Sequence, residues 1–153
     1  MEKMLSQAVR DALATMGWRA DRRIDTSQWV ANLSSYGLPL LPGVDDIIAN
    51  FGGLTLRGVP SAGKTFQPPV VFFDPVNPGG DGDVDRVPYW QEILGTALNP
   101  IADLGAGHAV LLLSDERQLL AGLNGGVYWY GDSFEDALEE TLIFGKRVPV
   151  QIK

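Results

Sequence analysis

The stretch from Gly17 to Leu54, GWRADRRIDTSQWVANLSSYGLPLLPGVDDIIANFGGL, constrains the fold more than any other part of the chain. It holds two helices with tight punctuation at both ends. Asp25 is placed to cap the first of them, Gln28 stands three residues on to reach back to it, and Ile24 and Trp29 occupy the positions of a hydrophobic staple. The second starts near Pro42 and carries Val44, Ile47, Ile48 and Phe51 at i, i+3, i+4 and i+7, the spacing of one buried helical face. Gly52 and Gly53 follow, and Gly52 is expected at the left-handed helix stop. Leu54 is thereby delivered into a strand.

Around this pair the chain reads as one domain, residues 1–153, because its length and 45% hydrophobic content suffice for one domain with a real core and fall short of two domains. A first helix places Leu5, Ala8, Val9, Ala12, Leu13 and Met16 at helical spacing and stops at Gly17. Leu54 to Arg57 and Phe66 to Phe73 read as strands, the second demoted to a sheet edge by Pro68 and Pro69. The polar loop Asn77 to Asp85 leads into a helix from Pro88, which gathers Trp90, Ile93, Leu94, Ala97 and Leu98. Ala109 to Leu113, Gln118 to Leu123 and Val127 to Tyr130 form a meander with turns at Ser114–Arg117 and Asn124–Gly126. Asp132 or Ser133 then caps a last helix bearing Phe134, Ala137, Leu138, Thr141 and Leu142. Helices first and strands later, with one inserted and one terminal helix, predict an α+β domain with a mostly antiparallel sheet.

Composition narrows the partners. Nineteen acidic against twelve basic residues give a formal charge of −7 and a pI near 4.5, which disfavours nucleic acid and anionic membranes and favours a basic protein. The chain has no cysteine, so a thiolate nucleophile, a thiolate metal site and a disulfide scaffold are all excluded. Glu2, Lys3, Arg10 and Asp11 interrupt the apolar residues of the first segment, which therefore lacks the apolar centre of a signal peptide; a cytoplasmic location is the expectation.

Three motifs invite a catalytic or metal-binding reading. GVPSAGKT, Gly58 to Thr65, fits the phosphate-binding loop pattern, and VVFFD, Val70 to Asp74, looks like its partner strand. A phosphate loop opens directly into a helix, however, and here FQPPVVFF follows, with two prolines and β-forming residues. DGDVDRVPYWQE, Asp81 to Glu92, places acids at positions 1, 3, 5 and 12 of a calcium loop, yet Arg86 stands where the sharp turn needs glycine. His108 is the sole histidine and has no second imidazole or thiol to share a metal with, so it reads as a structural or surface residue. No cofactor or metal follows from any of them.

The motifs of the opening stretch carry a family resemblance. GWR at Gly17 to Arg19, the pair Arg22-Arg23, Ile24, Asp25, Thr26, Trp29 and FGGL at Phe51 to Leu54 resemble the SUKH superfamily of bacterial immunity proteins, specifically its third subfamily. VFFDP at Val71 to Pro75 and GDSFEDALEETLIFG at Gly131 to Gly145 extend the resemblance over nearly the whole chain. Ala20-Asp21 replaces a common Pro-Gly turn, and Asp115-Glu116-Arg117-Gln118 replaces the usual Asp-Glu-Asp-Gly. The resemblance implies a SUKH-like fold and a non-enzymatic protein that neutralises a cognate secreted toxin of nuclease or nucleic-acid deaminase type.

A family signature of this kind describes the fold, whereas a surface fitted to one toxin has to be sought in side-chain chemistry. Asp81, Asp83 and Asp85 running into Tyr89 and Trp90 are the first choice, an acidic loop next to aromatic anchors; Asp115 and Glu116 on the hairpin turn are the second. The competing readings are a solvated acidic loop beside a packed Trp90, a scaffold or regulatory module that binds endogenous proteins, and a nucleotide-dependent enzyme built on the phosphate-loop string.

Overall fold

A computed structural model describes residues 5–59, 66–76, 83–105 and 108–153. Helix α1 (Gln7–Thr15), α2 (Ser27–Ser35) and α3 (Val44–Phe51) come first. Strands β1 (Thr55–Leu56) and β2 (Val71–Phe72) follow, then a 3₁₀ turn Asp83–Arg86 that runs into α4 (Val87–Leu94). β3 (Leu98–Leu104), β4 (Ala109–Ser114), β5 (Leu119–Leu123) and β6 (Gly126–Gly131) lead to α5 (Phe134–Ala137), which widens into a π-helical turn, Leu138–Leu142. β7 (Val150–Gln151) is last. The seven strands form one antiparallel meander in chain order, so the α+β expectation holds.

Both faces of this sheet are covered, which is why β4 reads AVLLLS with hardly a polar residue. Leu111 and Leu113 of β4 join Val9 and Leu13 of α1, Val44, Ile48 and Phe51 of α3 and Phe134 of α5 in one core. Val110 and Leu112 point the other way, into a second core with Val84, Val87 and Trp90 from α4 and its preceding turn. Leu33 of α2 and the following Leu38 complete that layer. Strand pleating thus divides alternate residues of one segment between two cores.

The opening stretch is locked by polar contacts as well as by its apolar face. Arg22 donates to the carbonyls of Asn50 at 2.8 Å and Gly52 at 2.7 Å, capping the end of α3 with a charged fork. The Asn50 amide donates to the Arg22 carbonyl at 2.8 Å and its oxygen accepts from the Trp18 indole at 2.7 Å. Phe51 sits at the centre of an aromatic cluster, stacked 5.9 Å from Trp18 and edge-on to Phe134 at 4.9 Å. Residues that sequence similarity groups together are therefore one physical knot.

Several local expectations change. Asp25 does not cap α2 at the predicted place: its carboxylate accepts from the Ser27 amide at 3.0 Å and the Ser27 hydroxyl at 2.7 Å, in a turn one residue earlier. These two bonds lower its pKa below the ordinary carboxylate value, and Gln28 reaches forward to Asn32 instead of back. Gly52 is not left-handed (φ −52°); Gly53 is, at φ +81°. Gly52 is required for space, because a Cβ there would lie within about 2.4 Å of the Ile48 carbonyl oxygen and the Trp29 ring. The strand expected over Phe66–Phe73 is reduced to Val71–Phe72, as the prolines dictate.

The largest departure is β3. The helix read through Leu98 ends at Leu94, where Gly95 turns left-handed at φ +68°, and Leu98 opens a strand buried along its whole length. Asn99-Pro100 carries a turn signal, yet Pro100 lies within the strand, where the register shifts between Pro100 and Ala102. Such an irregularity admits a residue with no N–H to donate. Asn99 is buried and fully used: its oxygen accepts from the Leu41 amide at 2.7 Å, and its amide donates to the Pro39 and Leu98 carbonyls, both at 3.2 Å. The loop before α3 is held to the sheet through it.

At the far end Ser133 caps α5, its hydroxyl accepting from the Asp136 amide at 3.0 Å. The Arg147 amide donates to the Glu140 carbonyl at 2.7 Å. Its guanidinium turns back to Asp136 at 2.7 Å and to the Tyr130 carbonyl at 2.9 Å, and lies 4.5 Å above the Trp129 ring. This clamp fixes the approach to β7.

Truncating Phe51 to Ala is expected to cost about 3–5 kcal/mol in denaturant unfolding, since a ring packed on three others leaves a cavity. Burial raises the Tyr130 hydroxyl pKa from 10 to about 12. The neutral phenol is then favoured in the folded chain, so its contribution is complete below pH 10 and is lost as pH rises through about 12. Relative to Tyr130→Phe, the unmodified protein should lose stability progressively across that interval; an unchanged difference between the two would refute the burial argument.

Candidate functional site

Helix α4 and the turn before it form a two-sided element. Val84, Val87 and Trp90, spaced three apart, face the second core, while Asp85, Tyr89 and Glu92 are exposed at i, i+4 and i+7 on the opposite face. Tyr89 is 58% exposed, more than any other large apolar side chain among the described residues. Trp90 beside it is 0% exposed.

Trp90 therefore belongs to the core, which corrects its expected role as a contact residue. Its indole lies flat on β5, where a Cβ on Gly122 would fall within 2.7 Å of three ring atoms. The indole N–H points to the Leu123 carbonyl at 3.4 Å. A tryptophan with its ring enclosed and its polar atom directed at a backbone acceptor packs the interior and has no face left for a partner.

Two cations adjoin the acids of this region. The Arg86 guanidinium is half-buried and stacks 4.6 Å from the Trp90 ring centroid. Arg117, held at φ +68° in the β4–β5 turn, lays its guanidinium against the α2–α3 loop, about 3.6 Å from where a side chain on Gly43 would begin. Asp115 and Glu116 of the same turn remain exposed. The Asp115 amide donates to the Ala97 carbonyl at 3.0 Å, tying this turn to the segment that leaves α4. The Gln91 side chain accepts from the Leu98 amide at 3.0 Å, which holds the end of α4 to the start of β3.

Of the other expected contact residues, Asp83 begins the 3₁₀ turn and its side chain lies outside the described residues, as does Asp81 entirely. Glu92 was missed as a surface partner of Asp85 and Tyr89, although its spacing from them marks one helical face. In the sequence its acid stands out only as position 12 of a calcium loop. That loop does not form: Asp85 and Glu92 are separated by about 10 Å along a helical run, too far to share one cation at about 2.5 Å. Among the described residues no cluster of His, Asp and Glu is placed to hold a metal.

The phosphate-loop reading meets the same kind of obstacle. Pro60 to Thr65 lie outside the described residues, but the chain after them runs without helix into β2, which pairs antiparallel with β1. A phosphate loop needs a helix there and a parallel neighbour. His108 is exposed at the start of β4. A cleft of ≈ 520 Å³ does open between α1, α3 and α5. Of its charged lining, Arg22 caps α3, Arg10 lies over the Trp18 ring at 5.7 Å, and Arg23 pairs with Asp46 at 3.2 Å.

The pattern of the SUKH-3 immunity protein family matches residues 5–145, from the start of α1 to beyond the last helix. The chain belongs to this family. No curated protein and no solved structure matches it. No helix among the described residues is long and apolar enough to cross a membrane.

Neighbouring residues of α4 should separate cleanly in unfolding experiments. Trp90→Ala is expected to destabilise by about 3–5 kcal/mol, and Tyr89→Ala by less than about 0.5 kcal/mol. Comparable losses at both positions would mean that the orientation of α4 is wrong.

Proposed function

We propose that this protein neutralises a cognate secreted toxin by binding it, without catalysis of its own. The observation that carries this reading is the family match over residues 5–145, because an immunity protein family implies a toxin as partner. The toxin class proposed is a nuclease or nucleic-acid deaminase, whose substrate channel has to be basic to hold phosphates. A chain of formal charge −7 is suited to occlude such a channel, and opposite charge raises the encounter rate as well as the affinity. The complex forms in the cytoplasm of the producing cell under this reading. Neither nucleic acid nor membrane is a partner.

Co-expression with the toxin domain encoded beside this gene is expected to restore growth, and the purified protein alone should hydrolyse neither nucleotides nor nucleic acids. Growth arrest that persists despite soluble expression of the chain would overturn the assignment. Nucleotide turnover lost on Lys64→Ala would favour the phosphate-loop enzyme in its place.

A further inference from the structure

We infer that the outer face of α4 is the surface that enters the toxin, with Tyr89 as its anchor and Asp85, Glu92, Asp115 and Glu116 as its charged surround. This inference rests on the toxin-neutralising reading and names the partner's chemistry: a concave, cationic protein surface with room for one tyrosine ring.

Acidic residues alone do not single out this face, since exposed carboxylates occur on several elements of the chain. Two observations set it apart. The first is the exposure of Tyr89 on a well-packed helix, where Val84, Val87 and Trp90 already bury the inward face and Tyr89 remains 58% exposed. An aromatic ring left in water amid polar neighbours has the composition of an interface anchor, because it brings large contact area at small rotamer cost. The second is the charge balance. Asp85 and Glu92 on α4 and Asp115 and Glu116 on the turn are all exposed, whereas of the two arginines adjoining them in sequence Arg86 is half-buried and stacked 4.6 Å from the Trp90 ring, and Arg117 is exposed, so the carboxylates outnumber the cations beside them. What faces solvent along α4 is an acid, a tyrosine and an acid, continued past Ala97 by the acidic turn.

Such a face is complementary to a cationic groove and repelled by an anionic one. A convex helix presented to a channel is also the geometry by which helices dock in grooves, through residues at i, i+4 and i+7. The apolar groove beside β7, lined by Phe66, Tyr128, Tyr130 and Val148, lacks this charge pattern and provides a control surface.

The test uses the full chain and, as probe, the toxin domain whose growth arrest the unmodified protein relieves. Neutralising Asp85, Glu92, Asp115 and Glu116 together to Asn or Gln should slow association about tenfold and flatten its salt dependence, with dissociation little changed. Tyr89→Ala should instead speed dissociation about tenfold or more and leave association nearly as it was, and Tyr89→Phe should restore most of the lifetime. Val148→Ser beside β7 should alter neither rate. All these positions are exposed, and matching thermal melts establish that each variant is folded. Unaltered rates in both α4 variants, with tight binding by the unmodified chain, overturn the docking face and leave toxin neutralisation standing. Absence of binding by the unmodified chain overturns both.

Discussion

The fork that Arg22 places on the carbonyls of Asn50 and Gly52 is the contact on which the rest of the molecule hangs. It ends α3 where the helix has run out of amide partners, and Leu54 enters the sheet two residues later, its carbonyl accepting from the Phe73 amide at 3.0 Å. Asn50 answers by holding the Arg22 carbonyl and the Trp18 indole, so the segment before α2 and the end of α3 fix each other. Phe51, between these bonds, carries the knot into the core. An arginine is suited to the place because its planar fork satisfies two carbonyls at once, which an ammonium group on a flexible stem does with less geometric certainty.

Much of this was legible in the sequence. The apolar spacing of α1 and α3, a helix cap at Asp132 or Ser133, of which Ser133 is the one used, and the alternation that sends Tyr128 and Tyr130 to one face and Trp129 to the other all follow from local rules that the tertiary structure leaves in place. β3 was hidden for a physical reason. Its central proline and the preceding asparagine are turn residues by every local measure, and only a strand irregularity and the loop bonds of Asn99 make them strand residues. Gly52 shows a subtler case. Local rules point to glycine there for a left-handed turn, whereas crowding by the Trp29 ring is what excludes a side chain, and that packing is encoded by no local pattern.

The candidate surface was half legible. Asp85, Tyr89, Asp115 and Glu116 are where an exposed site would need them, whereas Trp90 has the opposite orientation to the one expected. Adjacent aromatics on a helix point about 100° apart, so one of the pair had to turn inward. Which one is decided by Gly122, on a strand more than thirty residues away, whose missing side chain leaves a flat floor for an indole. Charge near these residues is uneven: Arg86 stacks on the Trp90 ring and Arg147 lies over Trp129 while donating to the Tyr130 carbonyl, whereas Arg117 stays exposed beside the carboxylates of Asp115 and Glu116.

The two-sidedness of α4 has an evolutionary consequence. Its inward residues answer to the sheet and its outward residues answer to solvent and, on the docking face we propose, to a partner, so the two sets mutate under separate demands. A change at Asp85, Tyr89 or Glu92 draws little on the few kcal/mol that separate this fold from its unfolded ensemble. With toxin docking on that face, as proposed, lineages can drift along it toward a new partner without first acquiring compensating mutations in the interior. A helix packed so firmly by one tryptophan over one glycine is a stable place on which to keep a changeable surface.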